Sequence, residues 1–306
     1  MMENSKSIDN YNSLINKLEK INELKFTKIL KKIHKNVICV GSGASFTTAY
    51  FSSKIFNKYF DKNAVAMTPR ELLNVDFNTK PSIIIYSYSG TSNDIKYIKN
   101  KFENVIVVTG RNIDEFIDKE NIFSYYLNEP YERGLILYEN IIMPITLLLN
   151  EVKEFKKIIE YEINNYNKYN LKISEMNKIA IFTGDFTTVA SYDFTDKILE
   201  TGILKFDLYE KKEFSHGQYN YFINNDYDSI IYFKQKNVSD YEKELMKTLN
   251  RYNTLIIIES DFNGLFASYD LLFKSFVLFN KIKENKKIKL YNEKFKNLYS
   301  FEGDFS

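Results

Sequence analysis

The run from Tyr86 to Asp94, YSYSGTSND, sets Ser87, Ser89 and Ser92 around Gly90, directly after the apolar stretch Ile83-Ile84-Ile85. A strand that ends in hydroxyls and opens a helix is suited to receiving a small anion. The first N–H groups of a helix lack internal partners and carry the positive end of its dipole. Serine hydroxyls add donors, and glycine lets the backbone come close. A second such loop, Gly41-Ser42-Gly43-Ala44-Ser45, follows the apolar run Val37–Val40. Neither loop contains lysine or arginine. The lysine of a GxxxxGK[ST] loop is missing, which disfavours a nucleoside triphosphate and leaves a phosphate monoester. The GxG lacks the third glycine of a dinucleotide fingerprint. The same serines would also serve as plain helix caps and turn residues. Two such loops at neighbouring strand ends favour the anion.

Other chemistry is sparse. The chain of 306 residues holds two histidines, His34 and His216, and one cysteine, Cys39. That inventory leaves no Cys/His set with metal-ligand spacing. Cys39, inside VICVG, reads as a small apolar core residue. His34 closes an amphipathic helical stretch and reads as surface structure. Net charge is +2, with 42 basic and 40 acidic residues, so nothing draws the chain to nucleic acid or an anionic membrane. The longest apolar run, Ile141 to Leu149, is too short to span a bilayer. The polar N-terminus lacks a signal-peptide core, and the expected location is cytoplasmic.

These loops need a scaffold, and the hydrophobic pattern supplies one. Residues 8–34 show helical periodicity. Strands then alternate with helices: Val37–Val40, Val65–Thr68, Ser82–Ser87, Val105–Thr109 and Phe123–Leu127. A long helical region, 135–168, follows, with a break anticipated at Pro144. The pattern restarts with Lys178–Thr183, a helix over 187–203, then Ser229–Phe233, a helix over 240–251, Thr254–Ile258 and a helix over 266–281. Short continuous apolar strands between helices predict α/β architecture with parallel sheets covered on both faces. The restart is an internal repeat. The expected division is 1–170, an N-terminal helix plus first lobe with the anion anchor, and 171–306, a second lobe.

VICVGSGAS and IIIYSYSGTSND together resemble the sugar isomerase (SIS) domain, a phosphosugar-binding α/β fold with a G-x-G-x-S loop and a later S-x-S-G-x-[ST] loop. The resemblance implies a phosphate site of Ser42, Ser45, Ser87, Tyr88, Ser89, Gly90 and Ser92, with Gly43 near the substrate. Tandem SIS lobes occur in the isomerase half of glucosamine-6-phosphate synthase and in fructosamine-6-phosphate deglycases. The stretch KILETGILKFDLYEKKEFSHGQ resembles their catalytic segment, in which a glutamate precedes, by sixteen positions, a histidine followed by glycine. Glu200 and His216 have that spacing. The resemblance implies that Glu200 moves a carbon-bound proton and that His216 opens the sugar ring. It further implies a homodimer in which His216 reaches the neighbouring subunit's site, and no metal or organic cofactor. Glu213 and Asp207 are the second choices for the carboxylate. There are departures. Tyr88 stands where the family often has Gln or Arg, and Thr91 replaces a common acidic residue. No counterpart of a VASTKAF segment is present, and Glu129 and Glu132 are the suggestive residues in that region. A PRNLAKSVTVE-type tail is also missing. The implied activity is that of a fructosamine-6-phosphate deglycase or an aldose–ketose isomerase. The alternatives are a synthase-like aminotransferase and a non-catalytic phosphosugar sensor.

Overall fold

The computed structural model describes residues 14–21, 24–90, 92–111, 121–127, 138–165, 169, 173 and 175–286. Among these, one compact unit runs to Ile159 and a second begins at Glu160.

The first unit contains a five-stranded parallel sheet in the order β2-β1-β3-β4-β5. Its strands are β1 (Asn36–Val40), β2 (Asn63–Met67), β3 (Ser82–Tyr86), β4 (Val105–Thr109) and β5 (Ile122–Ser124). Alternate side chains leave opposite faces of a strand. Ile38, Val40, Ile83, Ile85, Val105 and Val107 therefore share one face, where they cluster with Leu72, Ile95 and Ile98. Val37, Cys39, Ile84, Tyr86, Ile106 and Val108 take the other face and are equally buried. Burial on both faces explains why these strands read as unbroken apolar runs. It also pushes the Cys39 thiol far up from its ordinary range, which makes it a core residue and no nucleophile. The backbone N–H of His34 donates to Ser82 Oγ at 2.8 Å, and its side chain is exposed.

The long helical region does not break at Pro144. The helix Glu139–Asn150 runs through it, and the interruption falls at residues 151–152. Proline removes the N–H that would bond the carbonyl four residues earlier. That carbonyl, Asn140 O, instead accepts from Thr48 Oγ1 at 3.3 Å. Thr48 belongs to the helix Ala44–Tyr59, which packs on Glu139–Asn150. Tertiary contact thus replaces the missing local bond.

The second unit has a four-stranded parallel sheet in the order β7-β6-β8-β9. Its strands are β6 (Lys178–Thr183), β7 (Lys205–Glu210), β8 (Ser229–Lys234) and β9 (Leu255–Glu259). Its winding repeats that of the first four strands of the other sheet, as the sequence repeat anticipated. β7 was not anticipated. It is a half-buried edge strand in which polar Lys205, Asp207 and Glu210 interrupt the apolar residues, and it lies inside a stretch whose interest had been its glutamate and histidine. No helix among the described residues is long and apolar enough to cross a membrane.

Candidate functional site

In an open α/β sheet wound in this order, ligands settle at the carboxyl ends of the strands, where the winding reverses direction. In the first unit the reversal lies between β1 and β3. The two glycine–serine loops leave these two strands.

After β1, Gly41 has no room for a side chain, since a Cβ would sit 2.2 Å from the backbone oxygen of Ser45. The chain passes so close because it turns at once into the helix Ala44–Tyr59. Gly43 makes the turn with φ at +52°, a conformation that favours glycine. No side chain caps this helix, and its first turn holds no acid. Ser42 and Gly43 are exposed, and Ser45 is half-buried.

After β3, the Gly90 N–H donates to Ser87 Oγ at 3.1 Å, and Gly90 has φ +67°. The Ser87 oxygen holds the turn, and its hydrogen stays available to donate. Ser92 stands at the N-cap of the helix Asn93–Lys101, in extended conformation, and its hydroxyl makes no capping bond. It is exposed, and Ser89 is half-buried. One feature opposes an anion: Asp94 lies in this helix's first turn.

Tyr88 points inward. Its side chain is 9% exposed. The ring rests on Gly110, where a Cβ would come within 2.6 Å of it. Its hydroxyl donates to Glu139 Oε2 at 3.2 Å, and Glu139 is buried in an ion pair with Lys17. The Tyr88 carbonyl accepts from Thr109 Oγ1 at 3.1 Å and from the Gly110 N–H at 3.3 Å. Tyr88 thus fixes the loop from below, and its hydroxyl is committed to Glu139. Lys17, Glu139 and Arg111, whose guanidinium lies 5.9 Å above the Tyr88 ring, were not found from sequence. Of these only Arg111 left a signal, because it directly follows a strand–glycine end. Glu129 and Glu132 lie outside the described residues.

The corresponding loops of the second unit differ. Asp185 follows Gly184 after β6 and pairs with Lys212 at 2.8 Å. The Glu210 carboxylate packs against Gly184, so that a Cβ there would meet it at 2.3 Å. It accepts from the N–H groups of Lys212 at 2.7 Å and Glu213 at 3.1 Å. Carboxylates stand here in place of the first unit's serines.

Glu200 and His216 both belong to the second unit, at opposite ends of its sheet. Glu200 is exposed in the last turn of the helix Thr188–Thr201. That helix returns the chain to the amino edge, where the Lys205 N–H bonds Asn177 O just before β6. β7 then crosses the sheet. His216, exposed in the turn Phe214–His216, follows at the carboxyl edge, where the Lys211 N–H bonds Thr183 O. β7 has six residues, so at about 3.3 Å per residue the edge that carries Glu200 and the edge that carries His216 are separated by the strand's length, roughly 20 Å. Desolvation, with the charges of Asp196 and Asp193, pushes the Glu200 carboxyl up to about 7, and Lys197 opposes the shift. Glu200 is exposed, so water screens these charges.

The second-choice carboxylates are otherwise placed. Asp207 accepts from Tyr227 Oη at 2.7 Å and pairs with Lys178 at 3.4 Å. Glu213 is exposed three residues before His216. A groove of about 380 Å³ runs between the helices Gln218–Ile223 and Asp240–Tyr252, lined by Phe214, Tyr219, Ile223, Tyr241, Leu249 and Tyr252 among others. Its lining is mostly aromatic and aliphatic, and Glu244 contributes a negative charge.

No family model matches this sequence, and no curated protein is similar to it. Solved structures are similar in fold. Glucosamine-6-phosphate deaminase from Thermotoga maritima superposes with a TM-score of 0.72 at 16% identity, over 92% of this chain and 94% of that one. A proposed phosphosugar isomerase from Clostridium difficile 630 gives 0.71 at 15%, over 98% of each chain. Tagatose-6-phosphate ketose/aldose isomerase from Escherichia coli gives 0.66 at 14%, over 90% and 92%. The chain therefore shares its overall fold with these structures.

Proposed function

We propose that the protein processes a 6-phosphorylated ketose or ketosamine, with the phosphate held by the first unit. The observation that carries this reading is the pair of glycine–serine loops at the reversal between β1 and β3, each opening a helix whose N-terminus no side chain caps. Ser42, Ser45, Ser87, Ser89 and Ser92 supply the hydroxyls, and Gly43 and Gly90 the close backbone. The fold similarity to structures described as phosphosugar enzymes supports the same reading.

In this reading Glu200 carries a proton between C1 and C2 through an enediol or enamine. Desolvation raises the Glu200 carboxyl from its ordinary value, the direction that suits a group exchanging protons near neutral pH. His216 moves the proton that opens the ring. The places of Glu200 and His216 at opposite edges of the second unit's sheet support a homodimer with sites completed across subunits. Hydrolysis of a fructosamine 6-phosphate to a hexose phosphate and a free amine is the first choice of reaction, and aldose–ketose isomerisation the second. No cofactor is needed for either. The same separation also suits a second reading, a phosphosugar sensor that binds without turnover.

Titration with fructose 6-phosphate tests the anchor. Each hydroxyl is worth about 1 kcal/mol or more to a charged oxygen, so Ser89→Ala is expected to weaken binding severalfold. Unchanged affinity in the Ser87→Ala/Ser89→Ala double variant would reject the site. Turnover of fructosamine 6-phosphate or of the ketose then separates enzyme from sensor.

A further inference from the structure

The groove of about 380 Å³ in the second unit begins one residue from His216, because Phe214 and Ser215 of the histidine's own turn line it. Its floor is apolar and buried, made by Phe214, Phe222, Leu245 and Leu249. Its rim leaves Tyr219, Ile223, Tyr241 and Tyr252 exposed by 44%, 52%, 44% and 62%. Large apolar groups left in water around a concave floor mark a binding surface, and the volume falls within the roughly 300–1,000 Å³ of small-molecule sites. The groove also has a polar end. Tyr241, Glu244, Thr248 and Tyr252 follow one another at spacings of three and four, so they form one row along the helix Asp240–Tyr252. Tyr241 Oη donates to Lys211 O at 2.9 Å, which ties one end of the row to the start of the turn leading to His216. Tyr252, at the other end, meets the Phe222 ring edge-on at 6.1 Å. Glu244 stands one turn from Tyr241, and side chains on a helix lean toward its N-terminus. Its carboxylate is therefore at the histidine end, with hydrocarbon beyond it. Glu244 Oε2 accepts from Lys247 at 3.1 Å, an exposed pair that water screens.

We propose that the groove holds the substituent on the nitrogen of a fructosamine 6-phosphate, and that this substituent comes from an apolar or aromatic amine rather than from an amino acid. This inference rests on the phosphosugar reading and on His216 as the group that opens the ring. In such a substrate the ring oxygen is bonded to C2, and the nitrogen to the adjacent C1. The group on the nitrogen therefore leaves the sugar beside the atom that His216 serves. There the ammonium meets Glu244, and the hydrocarbon continues over Phe222 toward Tyr252. The carboxylate of an amino-acid conjugate lies close to its nitrogen and would face Glu244 instead. Groove and histidine are carried by one unit, whichever subunit supplies the phosphate loop.

The test is calorimetric titration of the full chain, carrying Glu200→Gln so that binding is read without turnover. The ligands are fructose 6-phosphate, which lacks the substituent, and the fructosamine 6-phosphates made from methylamine, benzylamine and glycine. The benzylamine conjugate is expected to bind roughly tenfold or more tighter than the methylamine conjugate, the worth of burying a phenyl ring. The glycine conjugate is expected to bind severalfold more weakly than the methylamine conjugate. Thr248→Trp fills the groove and is expected to erase the advantage of benzylamine. Glu244→Lys is expected to reverse the other preference, so that the glycine conjugate binds tighter than the methylamine conjugate. A benzylamine conjugate no tighter than the methylamine one, or an advantage that survives Thr248→Trp, overturns this inference alone if fructose 6-phosphate still binds. If Thr248→Trp does not fold, Glu244→Lys decides the matter, because an unreversed preference overturns the inference. Sedimentation of the same variants detects the competing occupant, a second copy of this chain. A dimer that dissociates in Thr248→Trp assigns the groove to the interface and overturns the inference. Protein that binds neither fructose 6-phosphate nor any conjugate overturns the phosphate reading, and this inference with it.

Discussion

The placement of Glu200 and His216 at opposite edges of the second unit's sheet leads to a complementation test. An acid–base group must come within hydrogen-bond reach of the proton it moves. Glu200 and His216 stand at opposite edges of one sheet, so the proposed site that uses both draws them from two chains. Glu200→Gln and His216→Asn should each lose roughly two to four decades of rate, the usual contribution of one such group. The two variants are then co-expressed with different tags. In a heterodimer, one site takes Glu200 from the His216→Asn chain and His216 from the Glu200→Gln chain, and is intact. The other site carries both lesions. Random assembly makes about half of the dimers mixed and half of their sites intact, so the mixture should regain about a quarter of wild-type activity. Heterodimers purified on both tags should regain about half. The assay is turnover of the substrate found by titration. If doubly tagged heterodimers are no more active than the two homodimeric variants, the groups do not meet across subunits. Full activity in a monomer would refute the argument equally.

Two further predictions concern the two lobes separately. Gly110→Ala drives a Cβ to 2.6 Å from the Tyr88 ring, which Glu139 holds in place; overpacking of about 1–3 kcal/mol should lower Tm and weaken fructose 6-phosphate together, and an unchanged melt would show the ring to be free. In the second unit, burial first and then the charge of Asp270 hold the Glu162 carboxyl well above its ordinary range. The folded state therefore binds a proton that the unfolded chain releases once pH passes the ordinary carboxylate value, so stability is full below that value and falls as pH rises toward the raised one. Glu162→Gln, which is neutral at every pH, should flatten that fall in Tm between pH 5 and 8, and an unaltered slope would place its source elsewhere.

The parts that could be read from sequence share one physical origin. β1, β3, β4 and β6 are buried on both faces, so each appears as an apolar run, and the glycines at their ends are forced by close approach or by the turn. Gly41 is an example, pressed against the Ser45 carbonyl. What could not be read depends on contacts distant in sequence. The direction of Tyr88 follows from the pairing of Lys17 with Glu139, which no local pattern encodes. Pro144 stays within its helix because Thr48, from another helix, satisfies the released carbonyl. β7 has one buried residue among six, too weak an apolar signal beside the glutamate and histidine that flank it. Missing that strand hid the distance, because a spacing of sixteen residues looks local until an extended segment is placed inside it.

The two lobes share a winding order and differ where it matters for a ligand. In the first, the reversal point is lined by hydroxyls and by helix N-termini that no side chain caps, with Asp94 in the first turn of one of those helices. In the second, Glu210 fills the space against Gly184 and accepts the N–H groups that an anion would otherwise take, and Asp185 adds a charge that exposed Lys212 balances at the surface. A phosphate dianion entering there would lose those donors and face two carboxylates. Released from anion binding, the chain leaving β7 can serve another purpose. The bonds from Lys212 and Glu213 to Glu210 tie down the turn that presents His216. The carboxylate that closes the second lobe to phosphate is therefore also the group that orders the segment carrying its histidine.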